Sequence, residues 1–331
     1  MKQQTDFDKP SVIFAGILLG TIGVLSFIVQ PGLVQGFVTE LQLSEAAANQ
    51  LAFDEMLAVA ITTFITSFIN KHISWRKLLA VGLSLATMGN ITSALLLDSS
   101  TGLSAARFVA GCGEGVIISL SFTIIGLTRR TERNLAGYLV LLLSYGAIGL
   151  WLMPRAFDAI GLSGIFMFWS LCTLVSLYTI RVIPTSAGMD EENIDDEETP
   201  APMSTKLVAL TGVLLFNLAI GVTWANLFLI GMEIKQDELL IADALLLCQF
   251  VAIGGALIPV FMERQLGLLK PIVMTLVFST LAIASLMFDA DYLTYVVVVC
   301  VFKALWNFGL PFILSGVAVM DIRGNMIGFA I

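Results

Sequence analysis

Apolar runs of 20 or more residues, nearly free of charge, recur along this 331-residue chain. A run of that length matches the hydrocarbon core of a bilayer, and a water-soluble fold has no way to cover so many of them. Composition agrees: 57% of the residues are hydrophobic and only 13% are Asp, Glu, Lys or Arg, about half the charge of ordinary globular domains. The chain reads as an all-α polytopic membrane protein.

At about 20 residues per crossing, ten complete spans are predicted, near 12–37, 52–70, 77–97, 103–127, 134–153, 161–183, 206–231, 239–262, 270–288 and 292–319. An eleventh begins around Asn325, and its apolar stretch ends at Ile331, so the expectation is a chain truncated within that helix. Thirteen Lys and Arg fall in one set of alternate loops, among them Lys71, Arg76, Arg129 and Arg264, against Arg155 and Lys235 in the other. The excess puts the first set, and the N-terminus, in the cytoplasm. The plasma membrane is the expected location. Asp6 and Asp8 precede the first span and no small-residue cleavage site follows it, so it reads as a retained helix rather than a signal peptide.

The formal charge of −8 is local. Residues 190–198 hold seven of the 25 acids and leave 18 acids against 17 bases elsewhere. No basic face exists to bind nucleic acid. The segment 184–205, acidic and proline-bearing, reads as a solvated cytoplasmic linker between an N-terminal six-helix bundle, 1–183, and an incomplete C-terminal bundle, 206–331.

The chemistry available is narrow. His72 is the single histidine and reads as a solvated loop residue. Cys112, Cys172, Cys248 and Cys300 lie in apolar runs without CxxC spacing and read as small buried hydrophobes. Neither HExxH nor GxSxG is present, nor any nucleotide-binding loop. No cofactor, no metal and no enzymatic activity are expected.

Six spans, a long cytoplasmic loop and a second set starting in the same orientation form a layout that resembles the major facilitator superfamily. The fourth span adds Leu103-Ser-Ala-Ala-Arg107-Phe-Val-Ala-Gly111-Cys-Gly113, similar to that superfamily's L-x-x-x-R-x-x-x-G-x-G motif. The loop after the second span departs from the family's G-x-x-x-D-x-x-G-R pattern and keeps only Arg76. Its counterpart in the second half, Glu263-Arg264-Gln-Leu-Gly267-Leu-Leu-Lys270, resembles the acidic–basic–glycine pattern more closely. Gly137, Gly146 and Gly149 form half of an antiporter-like motif whose Gly-Pro is absent. The resemblance implies two parallel helical bundles, alternating access, and gate roles for Arg76, Glu263 and Arg264.

Three ionisable residues lie well inside spans: Arg107, Glu114 and Lys303. Charges there must face protein or a wet cavity. Arg107 and Glu114, seven apart, share a helix face about 10 Å apart along the axis. Glu114, twelve residues from Gly102, and Lys303, eleven from Tyr292, both reach depths of about 16–18 Å, near the midplane. A pathway role and a static Glu114–Lys303 pair are both open. Gln30 and Gln35 in the first span, Asn217, Trp224 and Asn226 in the seventh, and Trp306 and Asn307 in the tenth are further candidates to line a cavity. Asp54 and Glu55 are expected to be solvated at the outer end of the second span.

The reading is a monomeric secondary transporter for a small organic solute, with Glu114 as proton carrier and Lys303, Arg107, Gln30, Asn226, Trp306 and Asn307 as candidate solute ligands. The rivals are a non-transporting receptor or inactive fragment and, last, a membrane enzyme. For topology, a cysteine replacing Glu45 should react with an impermeant maleimide applied to intact cells, and one replacing Asn193 should not. Outside labelling of position 193 would reverse the orientation.

Overall fold

Helix is the only regular structure among the described residues of the computed structural model, 7–129, 131–186, 202–288 and 290–320. Helix starts follow local chemistry. Pro10 opens α1 (Pro10–Ile22), where its missing N–H is not needed. Ser44 accepts from the Ala47 N–H ahead of α4 (Glu45–Ile69), and Ser99 from Gly102 ahead of α6 (Ser100–Gly126). Asp237 accepts from Leu239 and Leu240 ahead of α9 (Glu238–Leu266). Each satisfies an N–H that the first turn would leave bare.

The first predicted span is not one helix. After α1 the chain forms the single turn α2 (Leu25–Ile28) and then α3 (Gln30–Glu40), with Val24 and Val29 outside helical geometry. Pro31 explains the second interruption, because it has no N–H to close the turn beneath it. The second predicted span begins too late: the Ser44 cap starts α4 seven residues before position 52. The fifth and sixth merge into α7 (Thr131–Ser176), which runs on past Pro154 and breaks at Gly161, φ 63° and ψ 179°. That conformation suits a residue without Cβ.

By length and composition, seven described helices suffice to cross a bilayer. They are Glu45–Ile69, α5 (Trp75–Leu95), Ser100–Gly126, Gly137–Arg181, Leu207–Ile234, Glu238–Ile258 and Tyr292–Ile313, while α1 and α10 (Leu269–Ser285) are shorter apolar helices. Polarity is arranged for lipid. On α4, Phe53, Leu57, Ile61, Phe64 and Phe68 are exposed at helical spacing, while Ala48, Ala52, Glu55, Ala58 and Thr66 are buried. The acidic segment 190–198 and the predicted eleventh span lie outside the described residues.

Two compact units are distinguished: Met1–Leu142 with Arg155–Asp190, and Leu143–Pro154 with Glu191–Ile331. In the first, α6 packs against α4, α5 and α1. It does so through glycine. A Cβ at Gly111 would collide with the Glu55 carbonyl oxygen, one at Gly115 with that of Val59, and one at Gly113 with the Ala86 backbone. The small-xxx-small spacing thus lets two neighbours approach α6 at backbone distance. In the second unit, α11 (Tyr292–Met320) packs on α9, α10 and α8 (Met203–Ile234). Tyr295 donates to the Leu227 carbonyl and Tyr292 to that of Leu240, both at 2.8 Å.

A Cβ at Gly126 meets nothing within 4 Å. Gly113→Ala should therefore lower stability by about 1–3 kcal/mol through overpacking, while Gly126→Ala should stay within about 0.5 kcal/mol. Thermal melting of the purified protein in detergent compares them.

Candidate functional site

Arg107 is buried completely, and its surroundings explain how α6 tolerates a cation. Glu55 on α4 receives two of its N–H groups, from Nε at 3.1 Å and from Nη2. Asn90 Oδ1 on α5 receives Nη1 at 2.8 Å. The guanidinium carbon lies 5.0 Å from the ring centre of Phe166 and 5.9 Å from that of Trp169, both on α7. A bidentate carboxylate, an amide and two aromatic faces supply much of what water would have given. One cation joins four helices.

Glu55 corrects the expectation of a solvated carboxylate, since only 1% of it is exposed. With the helix starting at Glu45, Glu55 lies about 15 Å along it rather than at its end. Its neighbour Asp54 is half-buried and accepts from Gln50 and Ser104. Glu55 lies on the buried stripe of Ala48, Ala52, Ala58 and Thr66. That stripe was the sequence signal: a lone acid among small residues at helical spacing points inward.

Glu114 is the second buried charge of the first unit, 4% exposed. Both carboxylate oxygens accept from the Ser26 hydroxyl, at 3.4 and 3.3 Å. Ser26 belongs to α2, the single turn left between the two interruptions of the first span. Arg107 acts on Glu114 electrostatically but pairs with Glu55. Among the described residues of its own unit Glu114 has no ion-pair partner. Gln30, two positions past the α2 turn, is also buried.

In the second unit Lys303, 1% exposed, occupies an aromatic cage. Its Nζ lies 3.6 Å from the ring centre of Trp224 on α8 and 4.0 Å from that of Trp306 one turn along α11. The two indoles meet edge to face, 6.1 Å apart at 63°. Trp224 is fully buried and is neither lipid-facing nor interfacial, as an isolated Trp in a span is expected to be. Cation–π attraction supplies on the order of 2 kcal/mol per desolvated contact, and taking an ammonium out of water costs at least several. No described carboxylate of this unit pairs with Lys303. The cage offsets part of the burial cost and leaves the charge without a counterion there.

The remaining candidates are placed as follows. Asn226 and Asn307 each donate to the carbonyl four residues back on their own helix, Val222 and Lys303. Arg76 donates to the carbonyls of Ile183 and Arg181, in and just after α7's 3-10 extension, Leu177–Arg181, so it ties the start of α5 to the segment that follows α7. His72 is exposed. Cys248 is buried and the other three cysteines are half-buried, all free thiols. The side chains of Glu263 and Arg264 lie outside what is described.

Removing one member of the Arg107–Glu55 pair strands the other in a dry interior, at a cost of about 3–5 kcal/mol. Glu55→Gln and Arg107→Met should each lose about that much stability, read as a lower melting temperature, and the double variant should recover most of it. Additive losses in the double variant would deny the coupling.

No family model and no curated protein sequence matches the chain. Solved structures do. The partially occluded inward-open xylose transporter XylE from E. coli superposes with a TM-score of 0.74 at 12% identity, covering 96% of this chain and 90% of that one. A D-xylose–proton symporter superposes at 0.70 and 14% identity, covering 96% and 88%. The nucleoside transporter NupG superposes at 0.73 and 10%, covering 96% and 86%. The fold is that of the major facilitator transporters.

Proposed function

We propose that this chain, folded as those transporters are, is a monomeric secondary transporter of the plasma membrane that moves a small organic solute by alternating access, coupled to protons. The observation that carries the reading is Glu114, buried in the middle of a span with a hydroxyl for company and no ion pair among the described residues of its own unit. A carboxylate already neutralised by an arginine would hold its charge through a transport cycle. One held only by Ser26 can take a proton from one side and give it up to the other, provided the surroundings change.

Ser26 suits that task. It sits on a turn interrupted at both ends, so the first span can bend at this level without breaking a continuous ladder. Its hydroxyl can donate to the charged carboxylate and accept from the protonated one. Arg107, by contrast, has its donors committed to Glu55 and Asn90. Its part in this reading is to hold α4, α5, α6 and α7 together as one piece that rocks. Lys303, with Gln30, Trp306, Asn226 and Asn307, stays on the side of the solute.

The topology proposed with it is ten complete spans and the start of an eleventh, the N-terminus cytoplasmic, and the bundles 1–183 and 206–331 joined by the linker 184–205. Arg76, Glu263 and Arg264 belong to the cytoplasmic gate loops. Energy comes from the ion gradient, and the xylose–proton symporter among the similar structures gives this coupling a precedent on the same fold.

In proteoliposomes, Glu114→Gln should abolish gradient-driven accumulation and keep solute exchange, since exchange needs binding and rocking but no net proton release. Ser26→Ala should slow accumulation and leave melting within about 1 kcal/mol, the worth of one hydrogen bond. Undiminished accumulation by a stable Glu114→Gln protein would end the proton-carrier role.

A further inference from the structure

Among the described residues the cage around Lys303 leaves its charge unbalanced. The ammonium has an aromatic face on two sides and no described counterion in its unit. The thiol of Cys248 on α9 lies within its electrostatic reach. The next residue, Gln249, is fully buried, and neither its amide oxygen nor its amide nitrogen has a hydrogen-bond partner among the described residues. Gln249 shares the buried stripe of Leu245, Cys248 and Ala252. A buried amide normally finds partners, so the orphaned amide of Gln249, on the buried stripe that carries Cys248, and a buried cation with no carboxylate partner among the described residues are two shortages of one kind. A single anionic oxygen group answers both: it pairs with the ammonium and accepts from the amide N–H.

We propose that the Lys303 cage, with Gln249, is the anion subsite of the transported solute, and that the solute is an organic anion with a carboxylate or phosphate group on an apolar body. This rests on the transporter reading. The body must be apolar because the walls of the cage are: the rings of Trp224 and Trp306, with Phe302 6.3 Å from Trp306. A small inorganic ion would lose its hydration there and gain no apolar contact in return. The cage has a second effect. By holding the ammonium between two rigid rings it fixes the cation in place, so the anion meets a preorganised charge rather than a flexible lysine.

Sodium benzoate and phenyl phosphate are the anionic probes, benzamide is the uncharged isostere of benzoate, and chloride and inorganic phosphate are the inorganic controls. The purified full chain is titrated with each while indole fluorescence and melting temperature are followed. Trp224 and Trp306 are placed to report. Expected results are saturable quenching and a raised melting temperature with benzoate or phenyl phosphate, at least tenfold weaker binding of benzamide, and no saturable response to chloride. Lys303→Gln should weaken the anion at least tenfold and Gln249→Leu severalfold. Equal binding of benzoate and benzamide by the unaltered protein overturns the proposal without any variant, so a variant that fails to fold does not leave it undecided. Benzoate affinity unchanged in a folded Lys303→Gln protein overturns it too, as does the lack of any anion response.

Counterflow of D-xylose and uridine, run in parallel, separates the two levels. Movement of either neutral solute with no anion binding keeps the transporter reading and discards the organic anion. Anion binding with no movement of benzoate, xylose or uridine keeps the subsite and counts against transport.

Discussion

A charge inside a bilayer has to be answered by protein, and the way each buried charge is answered sorts the interior of this molecule. Arg107 is answered in full: a carboxylate, an amide carbonyl and two rings come from three other helices. The first unit is organised around that answer. α4 supplies Glu55, α5 supplies Asn90, α7 supplies Phe166 and Trp169, and α6 carries the arginine through the middle. The same close approach that puts Gly111 against the Glu55 backbone brings the Glu55 carboxylate within reach of Arg107, four residues earlier on α6. Packing and electrostatics are one arrangement, and neither is available without the other.

Glu114 and Lys303 are answered in part. One has a hydroxyl, the other two aromatic faces. An interaction that stops short of neutralising a charge leaves it responsive to what arrives, whereas a saturated cluster such as that of Arg107 resists change. On the proposed reading, that difference separates the scaffold around Arg107 from the parts that act, Glu114 and Lys303.

Much of this was readable in the sequence, by different kinds of signal. Run length led to an all-helical membrane protein, because the bilayer imposes a length on every crossing. The arginine motif of the fourth span led to the fold. What failed was local. Treating 12–37 as one helix ignored Pro31, whose missing N–H is felt one turn away. Starting the second span at its apolar residues ignored the Ser44 cap, and that shift of seven positions carried Glu55 from the interior to the surface. Trp224 was undervalued because a tryptophan in a span has no preferred side until its partner is known, and that partner, Lys303, is 79 positions further along the chain. Asn90 and Ser26 gave no signal, being small polar residues of ordinary kind in helices that tolerate them.

The glycines of α6 have a consequence for how such a protein can diversify. Gly111, Gly113 and Gly115 admit no side chain because neighbouring backbones already fill the space. For that stretch the helix has few positions free to accept new chemistry, and Glu114 sits among them, framed on both sides by residues that cannot grow. A lineage built on this bundle would keep that stretch of α6 almost unchanged, because any added side chain there would have to push a neighbouring helix away.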